Sequence, residues 1–314
     1  MPVAAVAGVS LLAYAILDIG VDRVIETLVT LGPILPLVLA ITFFKYPLQA
    51  AAWRLALKPE VRPAWRASVA ATLSGDALGY LTWAGPLTGE PLKAYLMRDL
   101  VPPSVGVTAG AAERLLYNAT AAIVIVVATA LAFPAQASRL PVVGAVVVAI
   151  GGGLACWRIR SRNQPATGTA PASTGPRGVV AELAHDLWRE RPGALAGMLM
   201  LELGQHALLL SEAYVMLAAL GSQTSLRTVL IFEGLTKAVN AVGGIVPARL
   251  GIAEGGTALL AGALGLGESY GMGLAIMRRV RAIVWGAVGL LLFLQRERHA
   301  RKAIAHPAKP LALR

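Results

Sequence analysis

Apolar runs close to the length of a membrane span recur along this chain, and they limit its fold more than any motif does. A helix of roughly 20 residues, rising about 1.5 Å per residue, crosses the ~30 Å hydrocarbon core of a bilayer. Inside that core a segment must satisfy its own backbone hydrogen bonds, which leaves only helices or a closed barrel. Barrel strands alternate apolar and polar residues, and no stretch here does so over a strand's length. The expected fold is an all-α polytopic membrane protein. Composition agrees, since 56% hydrophobic and 14% charged residues is poor in charge for a water-soluble domain. A single cysteine, Cys156, excludes an internal disulfide, and four histidines without a cysteine cluster leave a structural zinc site without ligands. No cofactor or metal is expected.

Read in order, six spans are expected, near residues 3–19, 34–53, 108–133, 141–157, 193–220 and 271–294. The first lacks a basic leader and a convincing cleavage site and reads as a retained span. A loop, DIGVDRVIETL, follows it, and Pro33, Pro36 and Pro47 argue against a straight second span. Two further apolar stretches break at Gly and Pro. One has halves near 68–83 and 91–99 around the turn AGPLTGE; the other has halves near 228–246 and 252–264 around PARLGIAE. Each half is too short to cross alone, so each pair is expected to re-enter on the side it came from. Residues 158–178 read as a mobile polar linker. After it, Val180, Leu183, Leu187 and Trp188 share one face of an interfacial helix.

The two broken stretches echo each other. Slid along itself by 164 positions, the chain places Asp76 on Asn240, Gly79 on Gly243, Glu90 on Glu254, Leu96 on Leu260 and Arg114 on Arg278, without a gap. Residues 31–57 fall on 195–221 in the same register. Identity is low, and the support is the alignment of the special residues. Three spans and one re-entrant pair per copy invert the second copy relative to the first. The expected domains are a first membrane repeat (1–138), a second (139–297, with the linker 158–192), and a basic tail (298–314). Inverted repeats with broken helices are the architecture of alternating-access transporters.

Loop charge orients the expected bundle. With the amino terminus inside, the cytoplasmic connections at 54–66, 158–192 and 295–314 hold 16 basic and 5 acidic residues. The outer connections at 18–26, 134–139, 221–227 and 266–270 hold 3 basic and 4 acidic. That asymmetry puts both termini in the cytoplasm of a cell inner membrane. It also assigns the net charge of +11 to topology and anionic headgroups rather than to nucleic acid.

The chemistry lies in ionisable residues within the spans. They are Lys45, Asp76, Glu90, Glu113, Arg114, Glu202, Glu212, Glu233, Lys237, Arg249, Glu254, Arg278, Arg279 and Arg281. Each costs roughly 2.5–3.5 kcal/mol at a helix centre even on a lenient scale, so each must pair, face water or bind something. One reading pairs Glu113 with Arg114, and Glu254 with an arginine of 278–281, as structural pins. The other has Arg114, Arg249, Arg278 and Lys237 grip an anionic group such as a lipid phosphate, aided by half-helix N-terminal amides. Lys93 and Arg98 join that binding set, with Glu90 and Glu254 balancing its cations. Asp76, Glu113, Glu202 and His206 are candidates for ion coupling or structural pairing. Glu202 and His206 lie four apart, as a hydrogen-bonded pair or a proton relay. ExxxH is not the HExxH of a metalloprotease, and no phosphate loop or catalytic triad stands out.

Three stretches carry a family resemblance: GPLTGEPLKAYLMR at 85–98, AERLLYNATAAIVIV at 112–126 and PARLGIAEGGTALLAGALGL at 247–266. The matching positions are Gly89 and Glu90 with Lys93 and Arg98, the Glu113–Arg114 pair, and Pro247, Gly251 and Glu254. The chain resembles the lysylphosphatidylglycerol synthase transmembrane-region family, also called flippase-like membrane proteins, over roughly residues 31–294. That resemblance implies lipid movement between leaflets. Aminoacyl transfer in the synthases belongs to a separate soluble domain, so an enzyme is not expected here. The Glu-Gly-Gly of the third stretch is similar to a hopanoid-associated branch. Gly85-Pro86-Leu87 stands where many members carry a Gly-Arg turn, so one cation is expected to be missing. The expectation is a non-enzymatic lipid transporter acting on a phospholipid or hopanoid. Its alternatives are a membrane partner of lipid-biosynthesis proteins or a headgroup transferase using Glu90 and Glu254.

Overall fold

The computed structural model describes residues 20–81, 86–134, 185–222, 224–242 and 251–305, with Leu17 and Leu183. The described residues are helical, with no strand among them. The expected spans at 3–19 (Leu17 apart) and 141–157, the linker at 158–178 and the first half of the expected turn PARLGIAE, residues 247–250, lie outside them.

The helices are α1 (Val21–Leu31), α2 (Leu35–Ala56), α3 (Trp65–Leu81), α4 (Pro86–Leu96), α5 (Pro103–Ala132), α6 (Pro192–Ala219), α7 (Leu226–Val242), α8 (Ile252–Ala263) and α9 (Glu268–Ala305). Three segments, Val21–Ala56, Pro103–Ala132 and Pro192–Ala219, are long and apolar enough to cross a membrane. Their outward faces carry exposed Phe43, Phe44, Ile123, Val127 and Met200. In water so much apolar surface marks an interaction site; in a bilayer it is the lipid-facing wall.

The loop expected after residue 18 is instead helix α1. Val24, Thr27 and Leu31 recur at helical spacing and bury one side, while Asp22, Glu26 and Thr30 face outward. The acidic residues suggested a loop, but they occupy the polar face of an amphipathic helix. The prolines also cost less than expected. Pro33 lies in a 3₁₀ turn and Pro36 in the first turn of α2, where no amide hydrogen is needed, and α2 continues through Pro47. Leu187 is buried but Trp188 is 70% exposed, so the two do not share a face. The backbone there is a π-helical turn, Asp186–Glu190, whose wider winding rotates successive side chains differently from an α-helix. Helix α9 runs on to Ala305, into the expected tail.

The 164-residue offset holds for whole elements: it carries α2, α3, α4 and α5 onto α6, α7, α8 and α9. Their packing is reciprocal, with α5 against α7 and α9 against α3. Helices α2 and α6 run antiparallel, since Leu55 faces Gly197, Leu48 faces Gly204, and Thr42 bonds Glu212 at 3.2 Å. Apolar clusters fill both ends of this pair. Trp53, Leu57, Met97 and Met198 occupy one end, and Val38, Met216, Leu217 and Phe232 the other. The polar residues Lys45, Gln49, Glu202, Gln205 and His206 lie between them on the two helices.

Two details lock the frame. Helices α3 and α4 meet at Gly75 and Gly89, where an added Cβ at Gly89 would sit 2.7 Å from the Gly75 carbonyl oxygen. Arg191 closes the C-terminal end of α2 by donating to the Leu55, Ala56 and Leu57 carbonyls at 3.0–3.3 Å. The Arg191 guanidinium also donates to Asp186, which holds that carboxyl below its ordinary range.

Gly89→Val should lower stability by about 1–3 kcal/mol through overpacking. Gly193→Ala, whose Cβ would meet nothing within 4 Å, should be nearly neutral. Thermal unfolding in detergent compares them. Because the Asp186 carboxyl is held low in the folded state, its contribution is full above the ordinary carboxylate range and fades as pH falls through its depressed value. Asp186→Asn should therefore reduce Tm at neutral pH and lose that effect on strong acidification.

Candidate functional site

Most of the expected site residues gather into two networks across the middle of the bundle. In the first, Lys93 on α4 is 2% exposed, with Nζ 2.6 Å from Glu90 and 3.6 Å from Glu113. Arg114 on α5 donates to Glu90 at 3.0 Å and reaches Asp76 on α3 at 4.0 Å. Lys45 and Gln49 on α2 approach the same Asp76, each at 3.4 Å. The Trp53 ring lies 5.4 Å from the Lys93 ammonium, and its indole N–H donates to the Gly106 carbonyl at 3.1 Å.

In the second network, Arg278 on α9 bridges Glu212 on α6 at 3.2 Å and Glu233 on α7 at 2.6 Å. Lys237 also meets Glu233, at 3.3 Å, and Arg281 pairs with Glu212. Glu254 sits in the first turn of α8, where it accepts the Gly251 amide at 2.9 Å and Arg279 at 2.6 Å. Gly251 has φ +79°, so a residue with a side chain would be strained at that cap.

His206 lies between the networks. Its Nε2 is 3.0 Å from the Thr120 hydroxyl and its ring stacks 4.7 Å from Tyr117 on α5, within electrostatic reach of Lys237 and Glu233. Glu202 is fully buried and is bonded by the Gln205 amide at 2.6 Å.

Glu254 pairs within the 278–281 arginine cluster, as expected, and its partner there is Arg279. Several other pairings differ from expectation. Glu113 meets Lys93 rather than Arg114, because adjacent residues on a helix point about 100° apart. Glu202 and His206 do not pair with each other: Gln205 takes the acid and Thr120 the imidazole. Glu90 lies inside α4 rather than in the turn before it, since the helix begins at Pro86. Arg98 stands apart, half-buried and stacked 4.0 Å over Tyr95. Arg249 lies outside the described residues. Thr42, Gln49, Thr120 and Tyr117 were not anticipated as members. Their only signal was a polar atom inside an apolar run.

The two networks are charged differently among the described residues. The first sets Asp76, Glu90, Glu113 and Glu202 against Lys45, Lys93 and Arg114. The second sets Glu212, Glu233 and Glu254 against Lys237, Arg278, Arg279 and Arg281. One holds a surplus acid and the other a surplus base. The second is thus suited to an anion, which would bring its count level. No group of His, Cys, Asp and Glu with metal-binding geometry occurs among the described residues.

The family described as "Lysylphosphatidylglycerol synthase TM region" matches residues 2–303, nearly the whole chain. The chain belongs to this family. It is a membrane protein tied by that family to lipid handling. Neither the curated proteins nor the solved structures hold a significant match to it.

Breaking one side of a buried pair leaves the other charge exposed to a low dielectric, at about 3–5 kcal/mol. Lys93→Met should destabilise by that order, and adding Glu90→Gln should recover part of the loss. A double-mutant cycle read by unfolding in detergent measures the coupling.

Proposed function

We propose that this protein moves a lipid with an anionic headgroup between the leaflets of the cell inner membrane, without chemical change to the lipid. The second network, which sets four half-buried cations against three carboxylates among the described residues, carries this reading. A phosphate beside Lys237, Arg278, Arg279 and Arg281 would bring that count level. Phospholipids fit, and so does a hopanoid bearing an acidic head.

Helix lengths support the route. Helices α4 and α8 have 11 and 12 residues. At about 1.5 Å per residue each reaches roughly half of a ~30 Å core. In this reading α3–α4 and α7–α8 are re-entrant pairs that dip in from opposite faces, related by the inversion of the two halves. Both termini are cytoplasmic, and membrane lipids are the principal partners. Alternating access then follows from rocking one half against the other around the charged layer. The pairs differ in a way that such rocking would exchange. Glu90 holds Arg114, whereas Glu254 holds Arg279, one position beyond the equivalent Arg278.

The extensive carboxylate pairing of the cations also supports a second reading, a static membrane partner for lipid-biosynthesis proteins. One assay separates the two. In proteoliposomes, fluorescent phospholipid should cross faster with wild type than in empty vesicles. Glu90→Gln and Glu254→Gln should each slow it about tenfold or more, as expected for losing a charge-assisted bond of about 1.5–3 kcal/mol. Equal rates in all samples would favour the static partner. Cysteines placed at Thr88 and Ile252 in a Cys156→Ser background should label from opposite faces; same-sided labelling would end the re-entrant account.

A further inference from the structure

We propose that Glu202 and Glu113 form a buried proton-binding site, holding one proton between them in the structure described here. The two acids come together because α5 and α6 run side by side in the same direction there. Near one end Trp53 of α2 donates to the Gly106 carbonyl on α5 while Leu55 faces Gly197 on α6, and farther along His206 meets Tyr117 and Thr120, so Glu113 and Glu202 fall at a similar level. Both side chains are fully buried. Both Glu113 carboxylate oxygens and the Glu202 Oε1 accept no hydrogen bond among the described residues.

The ion pairs leave one acid of this group without a cation among the described residues. Lys45, Lys93 and Arg114 match three of the four acids that share their network. Lys45 answers Asp76, Arg114 answers Glu90, and Lys93 lies between Glu90 and Glu113. That leaves Glu202, whose one hydrogen bond among the described residues comes from neutral Gln205. A buried carboxylate without a counter-charge costs far more than the neutral acid, so it takes a proton. A protonated carboxyl can also donate to its partner acid, which two carboxylates cannot do.

The groups that face Glu202 come from each packed element. They are Lys45 on α2, Lys93 on α4, and Glu113 and Arg114 on α5, with Gln205 and His206 on its own helix. The proton moves without any covalent change: one O–H bond breaks at the donor and one forms at the accepting carboxylate oxygen. His206, one turn along α6 and bonded to Thr120, stands between this site and the Lys237–Glu233 pair of the second network. Coupling of the proton to lipid movement rests on the transport reading above; the proton site itself does not.

Infrared difference spectroscopy of the full chain in liposomes tests the site. Wild type at neutral pH should show the C=O stretch of a buried protonated carboxyl, shifted in D₂O. That band should vanish in Glu202→Gln and shift or weaken in Glu113→Gln. Absence of the band in wild type, or an unchanged band in both variants, overturns the proposal. In the same liposomes, an imposed pH gradient should alter the wild-type lipid flux, and Glu202→Gln should lose that response. A band without any lipid flux leaves the proton site standing and removes the transport reading. Flux without the band does the reverse.

Discussion

Everything in this bundle answers to one constraint: an ionised side chain in the hydrocarbon layer needs a counter-charge within reach. The long helices could have been continuous apolar rods, yet α2, α6 and α9 each carry charge near their middles. Those charges force the helices to meet along specific faces. Arg278 joins α9 to α6 and α7, Arg114 joins α5 to α4 and α3, and Lys45 joins α2 to α3. Lipid tails are as apolar as leucine, so apolar contact alone specifies little about which helices pack. The ion pairs and the close glycine contacts select the partners, and the apolar clusters at each end of α2 and α6 fill the remaining space.

The broken helices follow from the same constraint. Helix α8 is short, and its first amides need partners. Glu254 supplies one to the Gly251 amide while holding Arg279. A residue introduced as a charge balance is thus also a helix cap. This dual use tempers the idea that half-helix amides wait for a ligand, since the cap at α8 is already occupied.

Breaking each apolar stretch into two halves also makes room for a polar layer between two dry ends. That layer is asymmetric in charge, with a surplus acid on one side and a surplus base on the other. A proton on the first side and an anion on the second are the species that would bring each level.

Much of this was legible in sequence. Apolar run length marked the helical class, and spacing placed α2, α5 and α6 near their observed bounds. An offset of 164 residues related the two sets of helices, because Gly79 and Gly243, Glu90 and Glu254, and Arg114 and Arg278 stand at matched positions. Sequence could also name the buried charges, since an acid or base inside an apolar run stands out against its neighbours. It could not pair them. Glu113 meets Lys93 and not its neighbour Arg114, and Glu202 meets Gln205 and not His206, because helix rotation sets which side chains face. Nor could it see that Asp22 and Glu26 form the polar face of helix α1 rather than part of a loop. Local pattern thus determined which residues are apolar, broken or charged. Only the tertiary structure decided which charges share a space, because ion pairing depends on distances between helices far apart in the chain.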